Sequence, residues 1–122
     1  MRNFIIGACM TAAVLLAACG GSGDTTGPSQ QPGTVVSSAT VRATPSIQFT
    51  PATVNLAVGG TITFAFESVP HNLYFDGAPA GAPDNITAPS SNVSVTRTFS
   101  TKGRYAYNCH LHPGMSGVVV VQ

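Results

Sequence analysis

Charge is scarce in this chain. Acidic and basic side chains make up 7% of its 122 residues, and the formal net charge is +1. Past residue 18 the bases Arg42, Arg97, Lys102 and Arg104 balance the acids Asp24, Glu67, Asp76 and Asp84. No basic patch or basic-aromatic stripe forms, which argues against nucleic acid as a partner. Strong electrostatic steering toward a charged partner is not expected either. Long apolar runs are also missing: Phe4 to Ala18 is apolar or small but falls short of the roughly 20 residues that span a bilayer. No segment shows the 3.6-residue apolar stripe of a surface helix. Nor is there a paired acid/base constellation, so an enzyme is not expected.

The N-terminus reads as a targeting segment. Met1-Arg2-Asn3 is a short positive opening, and the apolar stretch that follows has the length of a signal peptide, residues 1–18. Leu16-Ala17-Ala18-Cys19-Gly20 resembles the lipobox of bacterial lipoproteins, in which the Cys becomes the lipidated first residue. That resemblance implies a membrane lipid anchor at Cys19 and a place at the cell envelope, on the periplasmic or other extracytoplasmic face. Ordinary signal cleavage, with Cys19 incidental, is the alternative. Residues 19–43 then form a linker, since Gly20 to Gly33 is Gly, Ser, Thr, Gln and Pro with one charge and no large apolar group. Val35 to Val41 reads either as a first strand or as more linker. The chain holds three cysteines. Cys9 leaves with the signal and Cys19 takes lipid, so Cys109 is the lone thiol of an exported domain. An unpaired Cys there asks for a reason, metal ligation or inert burial.

From residue 44 to 122 the pattern is all-β. Ile47 and Phe49 alternate with polar neighbours, and Val54, Leu56 and Val58 do so again. Gly59-Gly60 predicts a two-residue hairpin turn before Ile62, Phe64 and Phe66. A short strand is expected at 72–75 and a long proline-bearing loop at 76–92. Strands follow at 93–99 and 104–109, joined by a Lys102-Gly103 turn, and Val118 to Val121 reads as a buried strand. Six or seven short strands argue for an antiparallel β-sandwich of one domain.

The chemistry concentrates in Asn108-Cys109-His110-Leu111-His112-Pro113-Gly114-Met115. Strand alternation puts Tyr105, Tyr107 and Cys109 on the core face and His110 outside. Thiolate, imidazole and thioether at i, i+3 and i+6 form a soft-ligand turn that suits copper, and His71 upstream completes a His-Cys-His set with Met115 as weak axial ligand. Each has a plainer reading: His71 as a satisfied loop histidine, Met115 as core.

Together, Cys109-x-x-His112-x-x-Met115, Pro70-His71-Asn72 and the run from Phe49-Thr50-Pro51 through Val58-Gly59-Gly60-Thr61-Ile62-Thr63-Phe64 resemble the cupredoxins, most of all the plastocyanin and amicyanin group. The resemblance covers about Ser46 to Gln122. It implies a Greek-key β-sandwich with one type 1 (blue) copper, His71, Cys109 and His112 equatorial, Met115 axial, and Asn72 hydrogen-bonding close to the Cys sulfur. It further implies a monomeric electron carrier serving redox partner proteins such as a cytochrome, oxidase or dehydrogenase. Two departures limit the carry-over. Asn108 stands where plant-type members have an aromatic residue, and their acidic patches have no counterpart here. The docking surface would instead be apolar, from Pro113, Gly114 and the Ala78–Pro83 loop around His112. His110 is expected to be a plain outward side chain. Copper storage or delivery is the weaker reading, because the mature chain has a single Met. A metal-free interaction module is weaker still.

Overall fold

The computed structural model describes residues 33–122; the signal segment 1–18, the Cys19 lipidation site and the linker as far as residue 32 lie outside the described residues. Eight strands and no helix occur in that range: β1 (Val35–Thr44), β2 (Gln48–Thr50), β3 (Thr53–Phe66), β4 (His71–Leu73), β5 (Ile86–Ser90), β6 (Val93–Phe99), β7 (Gly103–Asn108) and β8 (Ser116–Val121). The larger sheet runs β2-β1-β3-β8-β7 with β6 also on β3, and β4 pairs β5 in a smaller one. The all-β sandwich expected from period-two alternation is therefore present. The pairings of β1 with β3 and of β3 with β8 are parallel, and the others antiparallel.

The centre of the architecture is β3, and here the sequence reading needs correction. Gly59-Gly60 does not make a hairpin; β3 continues through it as one strand of 14 residues. Its first part, Thr53–Leu56, pairs β8, while Gly60–Phe66 pairs β6. The pairing with β1 slips between these parts, and Val58 is left exposed at the slip. Gly59 takes a φ of +80° there, and a Cβ on Gly60 would sit 2.7 Å from Leu56 Cγ. Two glycines thus let β3 bend where its pairing passes from β8 to β6. Val54, Leu56, Ile62, Phe64 and Phe66 all remain buried, so the alternation is the same whether the chain reverses or bends.

Two further segments differ from the sequence pattern. The stretch left open between strand and linker is β1, which runs on to Thr44 and lies parallel to β3. The loop expected at 76–92 contains β5 and ends before β6. Pro89 is accommodated because β5 pairs on one side only, with β4. The core packs rings edge to face: Tyr107 against Phe49, Phe64 and Phe75 at centroid distances of 4.9, 5.4 and 6.0 Å, and Phe99 against Tyr105 at 5.3 Å. Such contacts add to the burial of large apolar surface. They also fix the strand that leads into Cys109.

Candidate metal centre

Cys109 follows the last residue of β7, and the sequence alternation holds along it. Tyr105, Tyr107 and Cys109 are buried, while Arg104, Ala106 and His110 are exposed. The segment 109–115 is the connection of the β7–β8 hairpin. Two backbone bonds close it: Cys109 N–H donates to the Met115 carbonyl at 3.0 Å and Met115 N–H to the His112 carbonyl at 3.1 Å. Gly114, with φ +85°, supplies the left-handed residue of that turn. Met115 is thereby folded back and buried beside the thiol's strand.

His71 opens β4 and is fully buried. Its Nε2–H donates to the Thr44 carbonyl, 3.1 Å away at the end of β1. That bond fixes the tautomer and leaves the Nδ1 lone pair facing the cluster, the usual role of a backbone carbonyl behind a metal-binding imidazole. Burial also pushes the His71 imidazole below its ordinary value, against a smaller opposing effect of the Thr44 bond. The net lowering leaves a neutral ring at neutral pH, as a metal ligand must be.

The donor atoms converge. His71 Nδ1 lies 3.1 Å from His112 Nδ1 and 3.9 Å from Cys109 Sγ, and Cys109 Sγ lies 3.4 Å from His112 Nδ1. Cys109 is the free thiol among the described residues. A three-coordinate ion with nitrogen about 2.0 Å and sulfur about 2.3 Å away would separate the nitrogens by about 3.5 Å and each from sulfur by about 3.7 Å. The triangle is within a few tenths of an ångström of that size, so these residues fit a small transition-metal ion. Two imidazoles and a thiolate with a thioether nearby favour copper among the candidates. His71 and Cys109 are enclosed, whereas His112 is partly exposed. One ring thus connects the buried cluster to the surface.

Asn72 reaches the loop too: its Oδ1 accepts the His110 N–H at 2.7 Å, next to Cys109. His110 points outward as expected, but it is not a plain side chain. Its ring stacks on Tyr74 at 3.9 Å and 2°, and Nε2 meets the Asp76 carboxylate. Thr44, Tyr74 and Asp76 were not signalled by the sequence, because one acts through its carbonyl and the others through the bridge that sets Tyr74 against Asn108. The Ala78–Pro83 loop does not flank His112. A Cβ on Gly81 would lie 3.0 Å from Thr101 Oγ1, and one on Gly103 3.1 Å from Pro79 Cγ, at the opposite end of β7 from Cys109. The exposed apolar side chain beside His112 is Leu111.

Comparison with known proteins agrees with this geometry. A family model described as copper binding proteins of the plastocyanin/azurin family matches residues 36–122. The amicyanin of Paracoccus denitrificans is 32% identical over 121 residues, covering 91% of this chain and 92% of that protein. A chloroplastic plastocyanin of Tetradesmus obliquus is 37% identical over 89 residues, covering 63% of this chain, and amicyanin-alpha of Methylorubrum extorquens 33% over 79 residues, covering 62%. The chain spans 60% and 66% of those two relatives. Among solved structures, the reduced Cu(I) form of an amicyanin variant superposes with a TM-score of 0.59 at 26% identity, over 70% of this chain and 82% of that one. A copper-containing nitrite reductase of Thermus scotoductus shares the fold, at 24% identity and a TM-score of 0.58, over 68% of this chain but 22% of its own.

Proposed function

The chain belongs to the plastocyanin/azurin family of copper-binding proteins, and from that premise we propose that it carries single electrons on one type 1 copper. His71, Cys109 and His112 would hold the ion, with the Met115 thioether as a weaker fourth ligand. When bound, the ion supplies a one-electron Cu(II)/Cu(I) couple whose potential is set by the axial ligand and the surroundings of the sulfur. The chain's own residues do the rest. His71 and Cys109 keep the donor atoms out of water. The Thr44 carbonyl holds the His71 ring in place, and the Asn72 side chain holds the backbone beside the thiolate. The partly exposed His112 ring, with Leu111, Pro113 and Gly114 around it, is where a redox partner meets the site.

The observation that carries this reading is the donor triangle formed by residues 71, 109 and 112, brought together by hydrogen bonds that need no metal. A site built in advance need not rearrange when its oxidation state changes, which suits electron exchange rather than catalysis. The test is direct. Protein containing residues 33–122, titrated with Cu(II), should turn intensely blue through thiolate-to-copper charge transfer. Cys109→Ser should abolish the colour, and a variant that stayed blue would sink the assignment. Fast electron self-exchange with slow copper loss supports a carrier; the reverse pattern supports storage or delivery. The lipobox reading adds a lipid anchor and an extracytoplasmic place at the cell envelope. Under that reading Cys19→Ala should move the protein from the membrane to the soluble fraction of a bacterial host.

A further inference from the structure

His110 touches no donor atom, yet the segment that delivers His71 grips it three times. Its backbone N–H is held by Asn72 Oδ1, its ring face lies flat on Tyr74, and its ring edge meets Asp76 Oδ2 at 2.5 Å. Asn108, on the other side of Cys109, is tied to the same segment: Tyr74 and Asn108 exchange both backbone hydrogen bonds at 2.9 Å. Cys109 is thus flanked by two residues fastened to 72–76, while its side chain faces inward. Alternation explains the division of labour. His71 and Leu73 point into the core, and Tyr74 and Asp76 meet the outward ring of His110.

We propose that His110 is a positioning residue that staples the two ligand-bearing segments together, fixing Cys109 against His71 before any metal binds. The ring stack does most of the holding, because an ion pair between side chains 46% and 52% exposed contributes little by itself. The consequence for electron transfer rests on the electron-carrier reading; the staple itself does not, since it concerns the metal-free chain.

The experiment compares wild type, His110→Ala, Tyr74→Ala and His110→Phe as metal-free proteins. It measures Cys109 alkylation by iodoacetamide and hydrogen exchange at the Cys109 and Met115 amides, beside global stability in denaturant. Both Ala variants should raise alkylation and exchange about tenfold, equivalent to about 1.4 kcal/mol of local opening. Global stability should fall by a similar amount, since the unfolded chain lacks the stack as well. His110→Phe keeps the ring on Tyr74 and should stay within about twofold of wild type. Loaded with Cu(II), the Ala variants should show an altered charge-transfer band and slower self-exchange. Unchanged alkylation and exchange in His110→Ala would overturn the proposal, as would a failure of Phe to restore protection. If wild type never turns blue, the copper reading fails, and the metal-free comparison still decides the staple.

Discussion

Gly117→Ala tests the link between core packing and the metal centre. Gly117 sits opposite Tyr107 in the β7–β8 pairing, and cross-strand partners face the same side of a sheet. The Tyr107 ring lies across that position: a Cβ on Gly117 would be 2.4 Å from both Cζ and the hydroxyl oxygen and 2.7 Å from Cε2. Ordinary carbon contacts are about 3.5–4.0 Å, so the ring would have to move by about 1 Å. It cannot do so freely, because Phe49, Phe64 and Phe75 surround it. Overpacking of this kind costs about 1–3 kcal/mol. The backbone of Gly117 is not in the left-handed region, so Ala also gains about 0.4–1 kcal/mol by restricting the unfolded chain. The net expectation is a loss of about 1–2 kcal/mol, or a Tm lower by about 5–15 °C for a domain of this size. Calorimetry of the metal-free protein measures it. Adding Tyr107→Phe should not restore Tm, since Cζ and Cε2 stay in place. Because Tyr107 shares a face with Cys109, the copper form of Gly117→Ala should also show a shifted charge-transfer band. An unchanged or raised Tm would refute the reasoning.

Other consequences can be measured alongside. Tyr107→Phe alone removes a buried hydroxyl that has no hydrogen-bond partner, so denaturant unfolding should show a stability equal to wild type or higher by up to about 1 kcal/mol. Asn72→Ala takes away the acceptor of the His110 N–H and should cost about 1–3 kcal/mol in the same assay; a cost near zero would mean that water replaces it without loss. Met115→Gln should keep copper but lower the reduction potential by voltammetry, and loss of copper would make Met115 more than a weak axial ligand. Burial holds His71 below its ordinary value of 6.5, so the unfolded chain takes up that proton first as pH falls. The stability of the metal-free protein should therefore be full above pH 6.5 and decline between 6.5 and the lower folded value, by about 1.4 kcal/mol per unit of separation. Equilibrium unfolding across that range reads the slope.

The strands and the donor set were legible for a local reason. Period-two alternation reports which residues face the core, and β7 obeyed it as far as Cys109. The i, i+3, i+6 spacing of Cys109, His112 and Met115 confines those side chains to one turn whatever the rest of the chain does. Partnership between strands was not legible, because alternation is identical for a hairpin and for a strand that bends. The sequence therefore suggested a turn at Gly59-Gly60 where β3 continues. The Ala78–Pro83 loop failed for the same reason: composition marked it as apolar, but only its packing on Thr101 and Gly103 shows which end of β7 it covers.

What the sequence determined by itself was the chemistry: a thiol, two imidazoles and a thioether, on chain segments of β pattern. Tertiary structure alone decided how tightly that chemistry is held. The Thr44 carbonyl on His71, the Asn72 amide on His110 and the ring stack of His110 on Tyr74 join residues far apart in the chain. Hydrogen bonds to backbone groups and contacts across strands leave no mark in residue type or spacing; they exist only once the layers have closed.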